Sequence, residues 1–472
     1  MINLRFLDLF KPISRIIPEV KAPVRKVSFQ NRLLWTLFAL IIYFVMSETP
    51  LYGIPIIQGA DTFQTVRIVF ASQRGTLMEL GIGPIVTAGL IIQLLAGSEI
   101  ISFDRNSSEE RGLFTTASKF FSFVMIIVQS SLYILSGQYG EISLVKSSLI
   151  FTQLFVAGFI IMMLDELVQK GWGIGSGISL FIVAGITQTI WWSSFSFVQM
   201  GDGRKYGAIL ALIDGIWQKQ DVWKWFYRPE GWPDMIGFST TIAVFLIVVY
   251  FEGMRVELPI AHSNYRGYRG KMPLKLLYVS NIPVILAYSL FASLHMFAQL
   301  IWSRWNVGNG SFWLNMIAMY EQTDQGPSAI GGMVYFTTSP RTLSRVFQDP
   351  VHALIYASIV IAFCIIFSIT WLQIGGQSAD QMADQLIDSG MQVPGFRRDK
   401  RPIMAILNRY IPTITIIGGA LVGALAAFSD FFGVFGSGTG ALLAVSILYQ
   451  YYQTMVQEQI EDIYPILKGA MK

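Results

Sequence analysis

Long apolar runs constrain this chain more than any other feature of its sequence. A helix that crosses a bilayer needs about 20 predominantly apolar residues. The sequence is 53% hydrophobic and only 14% charged, whereas soluble domains carry about 25% charged residues. We therefore predict an all-α polytopic membrane protein with ten transmembrane helices. The predicted spans are 32–50, 76–97, 113–137, 147–168, 175–195, 236–255, 275–302, 350–375, 403–428 and 436–455.

The second predicted span is interrupted by residues that break helices. Gly81, Gly83 and Pro84 separate a mixed polar stretch from an apolar one. Glycine loosens the backbone and proline removes a donor, so a hinge or a loose first turn is expected here before the run continues as an apolar helix. Residues 59–72, just upstream, are too short to span and are predicted to form a non-spanning helix. Non-helical backbone at membrane depth must face protein or a water-filled cavity, so this region is expected to line a pore or binding cavity.

The distribution of Lys and Arg predicts the orientation in the membrane. The connections on the side of the N-terminus hold 23 of these residues and those on the other side hold 11. Cytoplasmic loops carry the excess, so both termini are predicted to be cytoplasmic. The predicted organisation is an amphipathic N-terminal segment on the membrane surface (1–31), an N-terminal five-helix half (32–195), an external loop (196–235), a C-terminal five-helix half (236–455) and a cytoplasmic tail (456–472).

Two short motifs recur five spans apart. The second and the seventh span each contain a proline within a short apolar motif, at 83–86 and 282–285, and Gly-Ser-Gly opens both the fifth and the tenth span, at 175–177 and 436–438. Because five is an odd number, the two halves would have opposite topologies. We therefore predict two inverted five-helix repeats arranged as a clamshell.

The predicted symmetry singles out four aliphatic residues. Val86 and Ile285 follow the paired prolines by two residues, and Ile182 and Leu443 follow the paired Gly-Ser-Gly motifs by five. If the interrupted helices line a cavity, these side chains approach one axis and form an apolar constriction that excludes water and ions. The alternative is that they simply face lipid or a neighbouring helix.

Ionisable residues within the predicted spans are few. Glu79, Asp165 and Glu166 lie near span ends and are expected at the interface, and His295 is the main exception. A secondary transporter of small solutes with inverted repeats stays open as the alternative function. Such a carrier would require polar or charged ligands near the membrane midplane.

Enzyme and metal sites are not predicted. Cys364 is the only cysteine, and His262, His295 and His352 lie far apart in the sequence. The sequence contains neither a HExxH motif nor a phosphate-binding GxxxxGK[ST] motif. We expect a protein that is not an enzyme and binds no cofactor or metal.

Two basic connections on the predicted cytoplasmic side could bind anions. They span residues 254–275 and 390–402. One interpretation is contact with anionic lipid, and the other is docking to RNA, whose phosphates bind Arg and Lys.

Six stretches together resemble the SecY family, whose members are central subunits of protein-conducting channels, and most resemble its archaeal members. These stretches are IPEVKAPVRKVSF (17–29), ASQRGTLMELGIGPIVTAG (71–89), LDELVQKGWGIGSGISLFI (164–182), MRVELPIAH (254–262), KLLYVSNIPVIL (275–286) and GSGTGALLAVS (436–446). The resemblance implies a pore for secretory polypeptides and a lateral gate that releases transmembrane segments into lipid. It also implies a SecE-type subunit, a small beta-type subunit, ribosomes and nascent chains as partners. The implied location is the plasma membrane of an archaeon, with the endoplasmic reticulum as the less favoured alternative.

The resemblance also implies roles for individual residues. The pore ring would comprise Ile82, Val86, Ile178, Ile182, Ile285 and Leu443. The plug would include Phe63, Val66, Arg67, Val69, Phe70 and Arg74. The lateral gate would include Thr87, Gln129, Asn281 and Ser293. The ribosome-docking residues would be Arg255, Arg266, Arg269, Arg397, Arg398 and Lys400.

The sequence departs from the family pattern at two positions. Ser293 stands where the family often has Asn, which predicts a weaker polar latch at the gate. Gln373 stands where many relatives have an acid, which puts its pairing with Arg67 or Arg74 in doubt.

Overall fold

The protein is described by a computed structural model. The structure describes residues 6–12, 15, 17–54, 67, 70–97, 107–135, 139, 142–199, 205–218, 226–228, 232–262, 269–279, 282–306, 308–323, 326–375, 377–388, 391–392 and 400–463.

Helices dominate the described chain. The N-terminal half contains α1 (Phe29–Glu48), α2 (Gly83–Gly97), α3 (Ser108–Leu135), α4 (Leu144–Leu167) and α5 (Gly177–Phe195), followed by the short α6 (Ala208–Trp217). The C-terminal half contains α7 (Met235–Gly253), α8 (Ile282–Trp305), α9 (Phe312–Ile317), α10 (Gly332–Thr337), α11 (Leu343–Gln348), α12 (Pro350–Ile374), α13 (Ala379–Asp388), α14 (Lys400–Phe431) and α15 (Gly438–Ile463).

Eight of the described helices are long and apolar enough to cross a membrane. They are α1, α3, α4, α5, α7, α8, α12 and α14. Of the other two predicted spans, α2 has 15 residues, or about 22 Å at 1.5 Å per residue. The helix α15 has 26 residues, but its C-terminal part carries charged and amide side chains. The prediction of a polytopic helical membrane protein is confirmed.

Two small sheets lie in the connections, where the sequence analysis predicted none. Strands β1 (Arg255–His262) and β2 (Arg269–Lys275) form an antiparallel hairpin, with Arg255 opposite Lys275. The two-residue strand β5 (Met391–Gln392) pairs with the other edge of β1. Strands β3 (Met319–Thr323) and β4 (Gly326–Gly331) form a second hairpin.

The N-terminal segment packs against the first half where it is described. Phe10, in the 3-10 turn Phe6–Phe10, is buried against Ile92 of α2 and Ala117 of α3, and its ring also contacts the ring of Phe120. The predicted location of this segment on the membrane surface stays a prediction.

The two halves meet along two lines. Helix α2 contacts α8 and α12, and α8 also contacts α3. On another side, α5 contacts α15. The largest hydrophobic cluster includes residues of both halves and lies where these helices converge.

Candidate functional site

The six predicted ring residues all belong to one hydrophobic cluster. Ile82, Ile182 and Leu443 are fully buried in it, and the partly buried Val86, Ile178 and Ile285 pack against it. They come from the turn before α2, from α2 itself, and from α5, α8 and α15. The structure thus brings together aliphatic residues that lie up to 361 positions apart, between Ile82 and Leu443. Their role as a pore ring stays a prediction.

The paired prolines lie at the start of two helices that carry predicted ring residues, α2 and α8. Helix α2 begins at Gly83 and α8 at Ile282, so Pro84 and Pro283 both lie in a first helical turn. Proline is tolerated there because the first turn leaves its N–H groups without intrahelical partners. The predicted interruption near Gly83 is confirmed.

The paired Gly-Ser-Gly motifs also have matching structural roles. Asp165, near the end of α4, accepts a hydrogen bond from Ile178 N at 2.8 Å. Asp430, near the end of α14, accepts one from Gly438 N at 2.7 Å. Each carboxylate therefore caps the helix that follows it, α5 or α15, and satisfies a free N–H at that N-terminus. The caps hold two ring-bearing helices against their predecessors.

Glycine is required at the two capped positions by close approach. A Cβ atom at Gly177 would lie 2.5 Å from Asp165 Cα, and one at Gly438 would lie 2.3 Å from Ser429 Cβ. Both distances are well inside van der Waals contact. A larger residue would push α5 or α15 away from the helix before it.

Phe70 and Ala71 lie in the ring cluster, the hydrophobic cluster in which the six predicted ring residues pack. Phe70 O accepts a hydrogen bond from Ile82 N at 2.8 Å. Ala71 O accepts one from the buried Tyr43 hydroxyl at 3.2 Å. Both residues are buried members of the same hydrophobic cluster as Ile82. Of the predicted plug residues, Phe63, Val66 and Val69 lie outside the described residues.

A buried ion pair joins Arg67 and Glu79, which lie on either side of residues 70 and 71 in the sequence. Arg67 Nη1 lies 2.6 Å from Glu79 Oε1, with the side chains 5% and 0% exposed. Arg67 also contacts Ser72 Oγ at 3.3 Å, and its guanidinium lies over the Tyr133 ring. The Glu79 carboxylate is therefore buried inside the protein, and its expected depth at the membrane interface stays a prediction. Gln373, whose pairing with Arg67 or Arg74 the sequence put in doubt, is exposed.

A polar cavity of about 440 Å³ adjoins this segment. Its walls include Glu48, Arg67, Arg74, Gln188 and Thr189. Ala71 and Gly185 also line it, and Ala71 belongs to the ring cluster. The cavity therefore adjoins the hydrophobic cluster that contains the predicted ring residues.

The predicted gate residues lie on helices that touch, but their hydroxyl groups bond locally. Thr87 Oγ1 donates to Gly83 O at 2.8 Å, and Ser293 Oγ donates to Ser289 O at 3.0 Å. Gln129 is buried, and Asn281 lies outside the described residues. Ser293 is thus satisfied within its own helix, and the weaker latch expected at this position stays a prediction.

The two basic connections meet in one sheet. Ala261 of β1 pairs with Gln392 of β5, so residues from both connections share a surface. Arg255 is exposed at the base of the hairpin. Lys400 is already paired with Asp380 and Asp384, each at 2.8 Å. Arg269 lies in β2, whereas Arg266, Arg397 and Arg398 lie outside the described residues.

One buried polar group near the site was missed from the sequence. Asp430 Oδ2 accepts hydrogen bonds from the Tyr356 hydroxyl at 2.7 Å and the Tyr288 hydroxyl at 3.4 Å, and these two hydroxyls lie 2.8 Å apart. The signal available in the sequence was that Asp430 precedes the second Gly-Ser-Gly motif as Asp165 precedes the first.

The other predicted span-end acids are also buried. Asp165 and Glu166 are each 7% exposed. Lys119 Nζ lies 2.5 Å from Glu166 Oε1, so α3 and α4 are joined by this pair. Among the described residues, three or more His, Cys, Asp or Glu side chains nowhere group closely enough to hold a metal ion.

Comparison with protein families gives two matches that cover most of the chain. The SecY family profile matches residues 76–452. A second profile, described as the plug domain of Sec61p, matches residues 41–75. The second match contains the whole of the predicted non-spanning helix, 59–72.

Individual relatives match over nearly the full length. Protein transport protein Sec61 subunit alpha of Dictyostelium discoideum is 42% identical over 469 residues, covering 97% of this chain and 98% of the relative. A solved structure described as a protein conducting channel has 37% identity and a TM-score of 0.80, covering 96% of this chain and 98% of the other.

Two further solved structures are ribosome complexes. Sec61 in the canine ribosome-channel complex from the endoplasmic reticulum has 37% identity and a TM-score of 0.78, covering 96% of this chain and 98% of the other. The idle yeast Ssh1 complex bound to the yeast 80S ribosome has 26% identity and a TM-score of 0.79, covering 98% and 96%.

Proposed function

The chain belongs to the SecY family, and from this premise we propose that it is the pore-forming subunit of a protein-translocation channel. It passes secretory polypeptides across the membrane and releases transmembrane segments sideways into lipid. It is a channel subunit and not an enzyme. The driving force for translocation comes from translation or from a partner.

The observation that carries this proposal is the shared cluster of six aliphatic residues from both halves. The hydrophobic cluster includes or packs against Ile82, Val86, Ile178, Ile182, Ile285 and Leu443, and it adjoins a cavity lined by charged and polar side chains. In the proposal these six residues form one apolar constriction. Aliphatic side chains can separate without breaking hydrogen bonds, so the ring can widen around a polypeptide and close again. When closed, it excludes water and ions because its surface is apolar.

The segment that includes Phe70 and Ala71 is proposed as the end of the plug. Its contacts with Ile82 and Tyr43 hold it against the ring, and the Arg67–Glu79 pair holds it from the other side. Widening of the ring would remove the surface on which Phe70 rests. Displacement of the plug and opening of the ring are therefore proposed to occur together.

The lateral gate is proposed to lie where α2 contacts α8 and α12 and where α3 contacts α8. Thr87 and Ser293 already have hydrogen-bond partners within their own helices. Opening this seam therefore breaks mainly apolar contacts, which are non-directional and re-form easily.

The secondary transporter is the competing hypothesis, and the two are distinguished by the chemistry of the ring. A solute carrier needs polar or charged ligands at the constriction, whereas the six residues proposed here are all Ile, Val or Leu.

A crosslinking experiment tests the channel proposal. Val86→Cys and Ile285→Cys are introduced separately into a Cys364→Ala background, and a stalled secretory nascent chain is presented to the channel. We expect adducts at both positions. Leu246→Cys, on the exposed side of α7, serves as the matched control and should give none. Absence of adducts at Val86 and Ile285, together with measurable solute exchange, would favour the transporter.

The partners proposed are a SecE-type subunit, a small beta-type subunit, the ribosome and nascent polypeptides. The structures similar to this chain include a ribosome-channel complex and a complex bound to the 80S ribosome. The sheet β2-β1-β5 supports a docking surface, since it combines residues of both basic connections. Arg255, Arg266, Arg269, Arg397, Arg398 and Lys400 remain the proposed contacts.

We propose the endoplasmic reticulum membrane as the location of this multi-pass protein, with both termini cytoplasmic. Support comes from the Dictyostelium Sec61 relative and from the canine channel of the endoplasmic reticulum. The archaeal subtype and the archaeal plasma membrane, both expected from the sequence, receive no support from these relatives.

A further inference from the structure

Four large apolar side chains form an exposed patch just beyond the end of α8. This outer aromatic patch comprises Trp305, Phe312, Trp313 and Met316, of which Phe312 is 73% and Trp313 76% exposed. Trp305 is the last residue of α8, and the other three lie on α9. An exposed apolar patch of this kind marks a surface that contacts a partner or a membrane.

The patch continues the exposed side of a membrane span. On α8, Leu290 and Phe297 are exposed and lie seven residues apart, which places them on one side of the helix. Arg304 and Trp305, seven and eight residues after Phe297, continue that side to the end of the helix. Because α8 is itself long and apolar enough to cross the membrane, we expect its exposed side to face lipid. The patch therefore begins where a lipid-facing surface ends.

A network of three asparagines fixes the patch to α8. Asn306 Nδ2 donates to Asn315 Oδ1 at 2.7 Å, and Asn315 Nδ2 donates to Asn309 O at 2.8 Å. Asn309 Oδ1 in turn accepts from Trp302 Nε1 at 3.0 Å. These amides are satisfied inside the connection, so its polar groups point inward and the aromatic rings point outward. The orientation of α9 is thus tied to the end of α8.

We propose that the outer aromatic patch lies in the lipid headgroup layer of the leaflet at which α8 ends, and anchors that end of the helix. This layer is roughly 5–8 Å thick on each side of the hydrocarbon core. Trp is enriched there because its ring is apolar and its N–H can reach water or a headgroup. The exposed Arg304, beside Trp305, is placed to reach lipid phosphate. The inference depends only on α8 crossing the membrane and is independent of the proposed function.

The headgroup layer explains the mixture of residues better than a protein partner does. The patch combines aromatic rings with an adjacent cation at the end of a span, the pattern typical of membrane interfaces. It is also continuous with the side of α8 that we expect to face lipid. The neighbouring β3–β4 hairpin has exposed polar side chains, among them Glu321 on β3 and Ser328 on β4. Ser328 is expected to lie in water and provides an internal reference.

Spin-label accessibility tests the inference. In a Cys364→Ala background, Trp313→Cys, Phe297→Cys and Ser328→Cys are each labelled with a nitroxide and reconstituted into phosphatidylcholine vesicles. Power saturation then compares collisions with oxygen, which partitions into lipid, and with a water-soluble nickel chelate. We expect the oxygen-to-nickel ratio at 313 to be several-fold higher than at 328 and closer to that at 297.

Two outcomes would overturn the inference. A ratio at 313 equal to that at 328 would place the patch in water. Protection of 313 from both reagents would mean that protein covers it, either a second copy of the chain or another subunit. Met316→Cys repeats the measurement should the Trp313 variant fail to fold, and the same outcomes apply to it.

Discussion

Arg67 and Glu79 form a buried ion pair that joins a predicted plug residue to the stretch just before α2. Their Nη1 and Oε1 atoms lie 2.6 Å apart, and neither side chain is more than 5% exposed. Removing one partner of a buried pair leaves the other charge without compensation, at a cost of roughly 3–5 kcal/mol. The pair is therefore expected to hold the segment from Arg67 to Glu79 in its observed conformation in the resting state.

Glu79→Gln is predicted to loosen this segment and to raise the resting ion conductance of the channel in planar bilayers. The matched control is Glu48→Gln, which lines the same cavity but is exposed and bonds to Gln188. The control should leave conductance close to that of the wild type. An unchanged conductance in a folded Glu79→Gln channel would show that the pair does not hold the segment closed.

Replacing Ile182 and Leu443 with Gly is predicted to make the closed pore leak ions. Both side chains are fully buried in the ring cluster, so the change removes apolar surface from the proposed seal. Conductance measured in lipid bilayers tests this. Leu246→Gly, on the exposed side of α7, introduces the same helix-destabilising residue away from the cluster and should not leak. Equal conductance in all variants would argue against the seal.

The two helix-capping carboxylates are predicted to stabilise the fold to different extents. Asp165→Ala and Asp430→Ala each leave an N–H at a helix start without its partner, and a lost buried hydrogen bond costs about 1–3 kcal/mol. Asp430 also accepts from the buried Tyr356 hydroxyl, whereas the side-chain partner of Asp165 is the amide of Gln169, an exposed residue that can bond to water instead. Its variant should therefore show the larger fall in unfolding temperature in detergent. Asp380→Ala, which loses only an exposed pair with Lys400, should change little. A larger fall for Asp165→Ala would contradict the ranking.

Arg255→Glu is predicted to weaken ribosome binding and to make it less dependent on salt. A basic side chain that contacts phosphate releases counterions, and each lost contact lowers the salt slope by roughly one. Affinity is measured by cosedimentation across a salt series. Lys146→Glu is the control, because Lys146 is exposed but lies at the start of α4, on the side of the membrane predicted to be external. The docking proposal for Arg255 fails if its variant and the control bind alike at every salt concentration.

The outer end of α12 is predicted to lose stability in acid. The pKa of Asp349 lies below its usual value of 3.8, because its carboxylate accepts hydrogen bonds from His352 N at 3.0 Å and from the Tyr335 hydroxyl at 2.9 Å. A carboxylate whose pKa is lower in the folded state stabilises the fold at pH values above its pKa in the unfolded state. That stabilisation is lost as the pH falls through its pKa in the folded state.

Unfolding temperatures of the wild type and of Asp349→Asn, measured between roughly pH 5 and pH 2, test this. Other carboxylates titrate over the same range in both proteins. The difference between the two proteins should therefore shrink as Asp349 is protonated. A difference that stays constant over this range would contradict the assignment.

Helix positions were predictable because the forces that fix them act within one segment. Every backbone polar group in lipid must bond within its own helix, so an apolar run of sufficient length predicts a span. The start of α2 at Gly83 followed from the local effect of glycine and proline. The paired motifs indicated the inverted halves for the same reason, since each motif sets the start of its own helix.

Side-chain partners were less predictable. Asp430 accepts hydrogen bonds from Tyr356 and Tyr288, which lie 74 and 142 positions away in the sequence. No local sequence pattern predicts contacts over such separations. Glu79 lies near the end of a predicted span, and no local pattern indicated that the fold buries its carboxylate against Arg67. Strand β5 has two residues and pairs only because β1 lies beside it.

The sequence by itself determined that this is a polytopic helical membrane protein and where most of its helices begin and end, because lipid imposes that choice on each segment separately. Only the tertiary structure decided which side chains share the central cluster, which carboxylates are buried, and that the two basic connections share a sheet. Those relationships depend on how distant helices pack together, and packing is a property of the whole chain.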